Sequence, residues 1–375
     1  MKVLHISGDY DAFNQNLVTK QITNEIKARV FVYTTRKKTV DFLYADNVNL
    51  YNSEIKLLRT PLFFRTRINR VAENFAAMYK NNHNFDVMHA HMLFSDGEIA
   101  LRGLKEFGIP YVVAFRNTDM NSWYLWHIKK NRVSGYEILQ SSSKIIFLGP
   151  AYKEKLLKKL PTHIAREIHS KCIQVPNGID EYWHGNASKK PKVKPGNNIK
   201  LLSVGRIERN KNQTIVLETM KILHKAGYSV KYSNVGAYKD TKMVRELRSN
   251  VNVTLIPFVT KELLINHYRN SDIFILPSIN ESFGLVYAEA ISQGVPIIYS
   301  RGQGFDGQFP EGEVGFAVDP QNPGEISRAV IKILNNYSNI SQNCIRRSSQ
   351  FTWDIISRKY IGIYSEIVSN KKQES

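Results

Sequence analysis

Cysteine, acidic residues and long apolar runs are all scarce in this 375-residue chain, and each shortage removes a class of protein. Only Cys172 and Cys344 occur, far apart and without His or Cys neighbours at metal-ligand spacing. That excludes a disulfide framework or zinc module and suits a reducing compartment. No stretch approaches the roughly 20 apolar residues of a spanning helix. Met1 to Ile6 is too short for a signal-peptide core, so the expected location is cytoplasmic. Acidic residues number 33 against 52 Lys and Arg, a net charge of +19. Such a field favours an anionic partner, whether nucleic acid, an acidic membrane surface or a phosphorylated substrate. The basic excess is spread along both halves and no recognition module accompanies it, so nucleic acid is not an expected partner.

What is present is enough apolar material, 42% of residues, to build more than one core, and the length suits two domains. Short apolar runs at 3–6, 30–33, 86–91, 111–115, 144–148 and 172–175 alternate with helical spacings, such as Ile68, Val71, Ala72, Phe75, Met78 and Tyr79. Gly108, with Pro110 just beyond, ends the helix that begins near Gly97. The polar segment 185–198 reads as a linker or, less simply, a basic binding arm. The rhythm then resumes with strands at 200–204, 231–235, 253–257 and 273–276. A helix is expected from Lys211, and a closing helix at 353–375 is expected to pack back on the first domain. The expected fold class is α/β, with two Rossmann-like doubly wound parallel sheets, residues 1–184 and 199–352, facing a cleft.

In such folds ligands bind beyond the carboxyl ends of the strands, which singles out two loops. The first reads Gly205-Arg206-Ile207-Glu208-Arg209-Asn210-Lys211. A guanidinium and an ammonium near a helix start would receive a diphosphate, although both could instead be solvated surface cations. The second carries Glu281, Phe283, Gly284, Leu285 and Glu289. Two carboxylates eight residues apart along a helix would stand about 12 Å apart, one toward a sugar and the other toward a ribose.

These loops, in this order, resemble glycosyltransferase family 4, the retaining enzymes with GT-B architecture that assemble bacterial polysaccharides. The likeness takes in the Asp86-Val87-Met88-His89-Ala90-His91 strand, Gly108-Ile109-Pro110, Pro176-Asn177-Gly178-Ile179-Asp180, Val314-Gly315-Phe316 and Phe351-Thr352-Trp353. It implies that Arg206 and Lys211 hold the donor diphosphate, Glu281 the transferred sugar and Glu289 the ribose hydroxyls. Phe283, Gly284 and Leu285 would lend backbone contacts, and Phe258 and Val259 would flank the nucleobase. It implies a UDP- or GDP-sugar donor, no metal or other cofactor, and retention at the transferred carbon.

The acceptor side is read from Gly8, Asp9, Tyr10, His91, Arg116, Asn117 and Asp119. The glycine turn after the first strand is reduced to Gly8. Asp9-Tyr10-Asp11 superficially matches an Asp-x-Asp metal motif but follows the first strand immediately, where helix capping or acceptor contact fits better. Family members commonly place a histidine where this chain has Arg116. That permanent cation either meets a phosphate or pairs with Asp119. His91 is either a cleft residue or a hydrogen-bonded core histidine, and metal binding by His89 and His91 would require further ligands.

Aromatic and basic residues interleave at 63–67, 123–130 and 152–160, which suits peripheral attachment to an anionic membrane or, equally, ordinary core-facing helices. The acceptor is expected to be a saccharide or a lipid-linked sugar, as in capsule or exopolysaccharide assembly. The rival expectations are a nucleotide-sugar epimerase or hydrolase on the same fold, and a basic nucleic-acid-binding protein.

Overall fold

The computed structural model describes residues 1–8, 12–34, 48–52, 64–81, 84–121 and 129–374. Asp9, Tyr10 and Asp11 therefore lie outside the described residues, as do Phe63 and 123–128 of the aromatic and basic segments. The chain forms two compact units, one of residues 1–148, 152–177 and 353–375, the other of 149–151 and 178–352.

In the first unit seven strands form one sheet: β1 (Lys2–Ser7), β2 (Lys27–Thr34), β3 (Val48–Asn52), β4 (Val87–Ala90), β5 (Tyr111–Phe115), β6 (Lys144–Phe147) and β7 (Cys172–Gln174). Their order is β3-β2-β1-β4-β5-β6-β7, and every pairing is parallel. A parallel sheet is covered on both faces, so its strands must be apolar on both. Alternate residues accordingly feed two layers. Leu4, Ile6, Met88 and Ala90 join Phe75 of helix Phe64–Tyr79 and Leu101 of helix Asp96–Phe107. Val3, Val87, Val112 and Ala114 join Leu17 of helix Ala12–Thr23 and the face Trp353, Ile356, Tyr360, Ile363, Tyr364 and Ile367 of helix Trp353–Glu374. The spacing of three and four along that last helix puts its apolar residues on one stripe.

In the second unit six strands, β8 (Asn198–Val204), β9 (Ser229–Val235), β10 (Val253–Ile256), β11 (Ile273–Leu276), β12 (Ile297–Ser300) and β13 (Gly315–Val318), form a parallel sheet in the order β10-β9-β8-β11-β12-β13. The order reverses between β8 and β11, as it does between β1 and β4 in the first unit. At such a reversal neighbouring loops leave the sheet toward opposite faces and open a crevice at the carboxyl ends.

Three expectations need correction. The division falls between Asn177 and Gly178, not at 185–198. That segment has few apolar residues, but its polar groups are held within the second unit: Ser188 N–H by Ser292 O (2.9 Å), Lys192 N–H by Ser341 Oγ (2.8 Å) and Lys192 Nζ by Arg269 O (2.6 Å). Lys211 does not open a helix. It ends a 3-10 turn, Arg209–Lys211, followed by Asn212 at φ 53°, and the helix begins only at Ile215. Asn is the residue after Gly that best tolerates this left-handed backbone, so Asn212 can end the turn there. Finally, Glu281 precedes the helix Leu285–Ser292 that carries Glu289, so helical rise does not set their separation.

Candidate functional site

At the β8–β11 reversal the two singled-out loops meet. Lys211 Nζ donates to Glu281 Oε2 at 2.6 Å, across 70 residues of sequence, with side-chain exposures of 20% and 9%. Ser278 Oγ donates to the same carboxylate oxygen at 3.2 Å. The Glu281 main chain is clamped by a third loop, its N–H by Gln303 Oε1 and its carbonyl by Gly304 N–H, both at 3.0 Å. Gly304 lies so close to the Ser282 carbonyl that any Cβ would overlap it. The ammonium and the carboxylate are therefore fixed from three loop segments.

Gly205 leaves β8 with its N–H on Val235 O and its carbonyl taking Asn234 Nδ2–H. Gly236 runs so near that a Cβ there would stand 2.2 Å from the Gly205 carbonyl. Arg206 is largely exposed, its guanidinium 3.9 Å from Glu208, whose carboxylate is bonded by Lys239 at 2.9 Å. That hydrogen bond and the flanking cations hold Glu208 below the usual carboxylate range. Arg206 and Lys211 thus stand in one loop, Lys211 turned inward on Glu281 and Arg206 at the open rim.

Gly284 is the N-cap of helix Leu285–Ser292 at φ 76°, and a Cβ there would meet the Tyr287 ring at 2.4 Å. Only glycine enters this helix without strain. The first turn of such a helix presents N–H groups with no intrahelical acceptor, beside Glu281 in sequence. Phe283 is buried, its ring centroid 5.5 Å from Phe305 and 5.7 Å from Phe351, so its ring anchors the loop from the core. Leu285 is exposed, as is Phe258 beyond β10, while Val259 is partly buried.

Glu289 accepts from Tyr268 Oη at 2.9 Å, and burial pushes its carboxyl up to about 7 against the effect of that hydrogen bond. Tyr268, on helix Lys261–Asn270, packs edge-on against Trp183, with ring centroids 5.5 Å apart. Asp180 caps the Trp183 helix and pairs with Lys261 at 2.8 Å. Near neutral pH Glu289 can therefore both accept and donate, which suits vicinal hydroxyls.

Of the acceptor-side candidates among the described residues, His91 and Asp119 are buried and Gly8, Arg116 and Asn117 are half-buried. His91 is 4% and Asp119 3% exposed. Asp119 accepts the Arg116 main-chain N–H at 2.8 Å, and burial raises its carboxyl to about 6. The Arg116 side chain donates from Nε to the His91 carbonyl at 3.3 Å. Asn117 accepts from Tyr152 Oη at 2.8 Å. Gly8 stays partly open, and a Cβ there would lie 3.3 Å from Tyr33 Oη. Tyr33 in turn bonds Asp96, a wholly buried carboxyl raised to about 7 by desolvation, which sequence reasoning passed over.

His91 is a core histidine. With His5 and His89 it forms a hydrogen-bonded seam under helices Ala12–Thr23 and Trp353–Glu374. His5 Nε2 meets Gln21 Oε1 at 2.8 Å, His5 Nδ1 meets His91 Nε2 at 3.0 Å, and Tyr364 Oη meets His89 Nδ1 at 2.6 Å. With the Gln21 carbonyl toward His5, the proton sits on His5 Nε2 and Nδ1 accepts from His91. Burial lowers His5 to about 4 and holds His89 and His91 well below the usual imidazole value, so all three are neutral. Their ligand atoms lie within 4.8 Å of one another, which supplies the third imidazole that a metal at His89 and His91 would need. The group contains no carboxylate, and the Arg116 charge already acts on two of its members. A dication here would be buried beside another cation at a cost of several kcal/mol. The chemistry of the donor set favours the hydrogen-bonded seam.

Among the described residues no helix is long and apolar enough to cross a membrane. Residues 186–351 match the family model described as Glycosyl transferases group 1. Over 170 residues the chain is 31% identical to the capsular polysaccharide biosynthesis glycosyltransferase CapM of Staphylococcus aureus, a stretch that is 42% of this chain and 44% of that relative. This match spans less than half of that protein's length. Two solved structures share the fold at 17% identity. Sucrose-phosphate synthase from Thermosynechococcus elongatus has a TM-score of 0.74, covering 99% of this chain and 100% of that one. HepE from Anabaena, in complex with UDP, has 0.69, covering 98% and 100%. The fold is GT-B, two Rossmann-like units in one chain, and the second unit, whose loops join Lys211 to Glu281, is a Glycosyl transferases group 1 domain.

Proposed function

We propose that the chain moves a hexosyl group from a UDP- or GDP-sugar to a saccharide or lipid-linked acceptor, with retention, in the assembly of a bacterial surface polysaccharide. The observation that carries this reading is the 2.6 Å pair of Lys211 and Glu281 at the β8–β11 reversal. Before the donor arrives each charge holds the other in place. The donor exchanges that contact for two: its diphosphate takes the ammonium, and its sugar hydroxyls take the carboxylate. The HepE structure contains UDP and CapM is named for capsular polysaccharide, which supports this class of donor and product for the present chain.

As the bond from the sugar carbon to the leaving phosphate oxygen breaks, negative charge grows on the diphosphate. Lys211, Arg206 at the rim and the N–H groups at Gly284 and Leu285 meet that charge. The acceptor hydroxyl oxygen bonds to the same face of the carbon, and its proton passes to the departing phosphate oxygen. Glu289 receives the ribose hydroxyls, and Phe258 and Val259 flank the base. The proposed site of action is the inner face of the plasma membrane, where the +19 charge favours peripheral contact with anionic lipid.

The test is sugar transfer to a soluble saccharide and to a lipid-linked acceptor in anionic vesicles, by the wild type, Lys211→Ala and Glu281→Ala. Each variant is expected to fall by about 100- to 1,000-fold, the usual loss when one group serving the developing charge is removed. Near-normal transfer by both would overturn the assignment. Donor consumed without an acceptor, or converted to another sugar still attached, would instead favour a hydrolase or epimerase.

A further inference from the structure

Lys211 and Glu281 share no helix or strand, yet a single side chain joins their loops one residue before each. Asn210 Nδ2 donates to the Asn280 carbonyl at 2.9 Å, and Asn210 Oδ1 accepts from the Asn280 N–H at 3.1 Å. The Asn210 carbonyl accepts from the Ile279 N–H at 2.8 Å. A primary amide carries its donor and its acceptor on separate atoms, so it can meet both main-chain groups of one residue at once. It is also neutral, so it adds no charge to a segment holding Arg206, Arg209 and Lys211.

We propose that Asn210 is a positioning residue for the donor's sugar. By tying the loop after β8 to the loop after β11, it sets where the Glu281 carboxylate stands relative to the Lys211 ammonium. This rests on the donor reading above. Both side-chain hydrogen bonds of Asn210 are exposed to solvent. An exposed bond exchanges with water and adds little to stability, whereas a displacement of about 1 Å at a reacting centre costs on the order of 100-fold in rate. The loss should therefore appear in catalysis and spare the fold.

The test compares the wild type with Asn210→Ala and Asn210→Ser by donor kcat and KM, by affinity for UDP and GDP without a sugar, and by Tm. For Asn210→Ala, kcat is expected to fall about 100-fold. Affinity for the sugar-free diphosphate should stay within about twofold, because it does not use Glu281, and Tm should be nearly unchanged. Asn210→Ser, which keeps one hydrogen-bonding group, should recover part of the rate. Unchanged kcat in Asn210→Ala, or a rate loss matched by parallel losses in diphosphate affinity and Tm, would overturn the proposal. If Asn210→Ala is normal while Glu281→Ala is inactive, only the positioning role fails. If Glu281→Ala is also normal, the donor reading fails with it.

Discussion

At the scale of single residues, Lys211 and Glu281 bring opposite charges together, while Asn210 and Gln303 hold the loops that carry them. Lys211 and Glu281 stand out in the sequence because the proposed diphosphate needs fixed cations and the proposed sugar an acidic acceptor. Asn210 and Gln303 act through main-chain groups 70 and 22 residues away, and nothing in their neighbours marks such partners. A signal existed for Gln303, since Gly302-Gln303-Gly304 follows a strand of the same sheet. His91 was ambiguous because alternation tells which side chains share a face, not what covers that face. Gly284 can be tested alone. At φ 76° an alanine costs roughly 1–2 kcal/mol, and pressing its Cβ against the Tyr287 ring adds roughly 1–3 kcal/mol. Gly284→Ala is expected to lower stability in urea by the sum, and an unchanged midpoint would contradict the assigned cap.

At the scale of elements, strand runs and the closing helix were readable from periodicity, because a doubly covered sheet and a one-faced helix leave different patterns. The helix start near Lys211 was misplaced: charge composition suggested an entry, while Asn210 and Asn212 made a 3-10 turn first. The polar segment 185–198 was misplaced for a related reason, since a scarcity of apolar residues does not reveal main-chain N–H groups held by a neighbouring carbonyl or hydroxyl.

The histidine seam gives this scale its own prediction. His5 titrates near 4 when folded and near 6.5 when unfolded, so the unfolded chain binds more protons between those values. Stability therefore falls as pH drops through that window, by roughly 3 kcal/mol for His5 alone. Asp96 and Asp119, raised to about 7 and about 6, act with opposite sign, keeping protons in the folded unit and favouring it at acid pH. Comparing urea midpoints at pH 4.5 and 7, His5→Gln is expected to show less acid sensitivity than the wild type. An identical pH slope in the two proteins would show that His5 is not held neutral by burial.

At the scale of the molecule, two sheets of the same winding place their reversals at β1–β4 and β8–β11, and the chain's chemistry collects at both. The first unit fills its reversal with a buried core of three neutral histidines, His5, His89 and His91, beside the carboxyl of Asp96. The second keeps its reversal lined with charge, and the +19 excess would add a long-range attraction for the proposed dianionic donor. The two doubly wound units followed from the alternation of elements and the GT-B class from the family resemblance, whereas the acceptor did not follow, because Gly8, Arg116 and Asn117 carry no pattern specific to one sugar.

The central claim is that a diphosphate is held at the β8–β11 reversal by Lys211. Isothermal titration of UDP and GDP into the wild type and Lys211→Ala measures it most directly. One of the two nucleotides should bind the wild type saturably and bind Lys211→Ala about tenfold or more weakly, the usual loss of one charge-assisted hydrogen bond. Equal affinity in both proteins, or no binding of either nucleotide by the wild type, would contradict it.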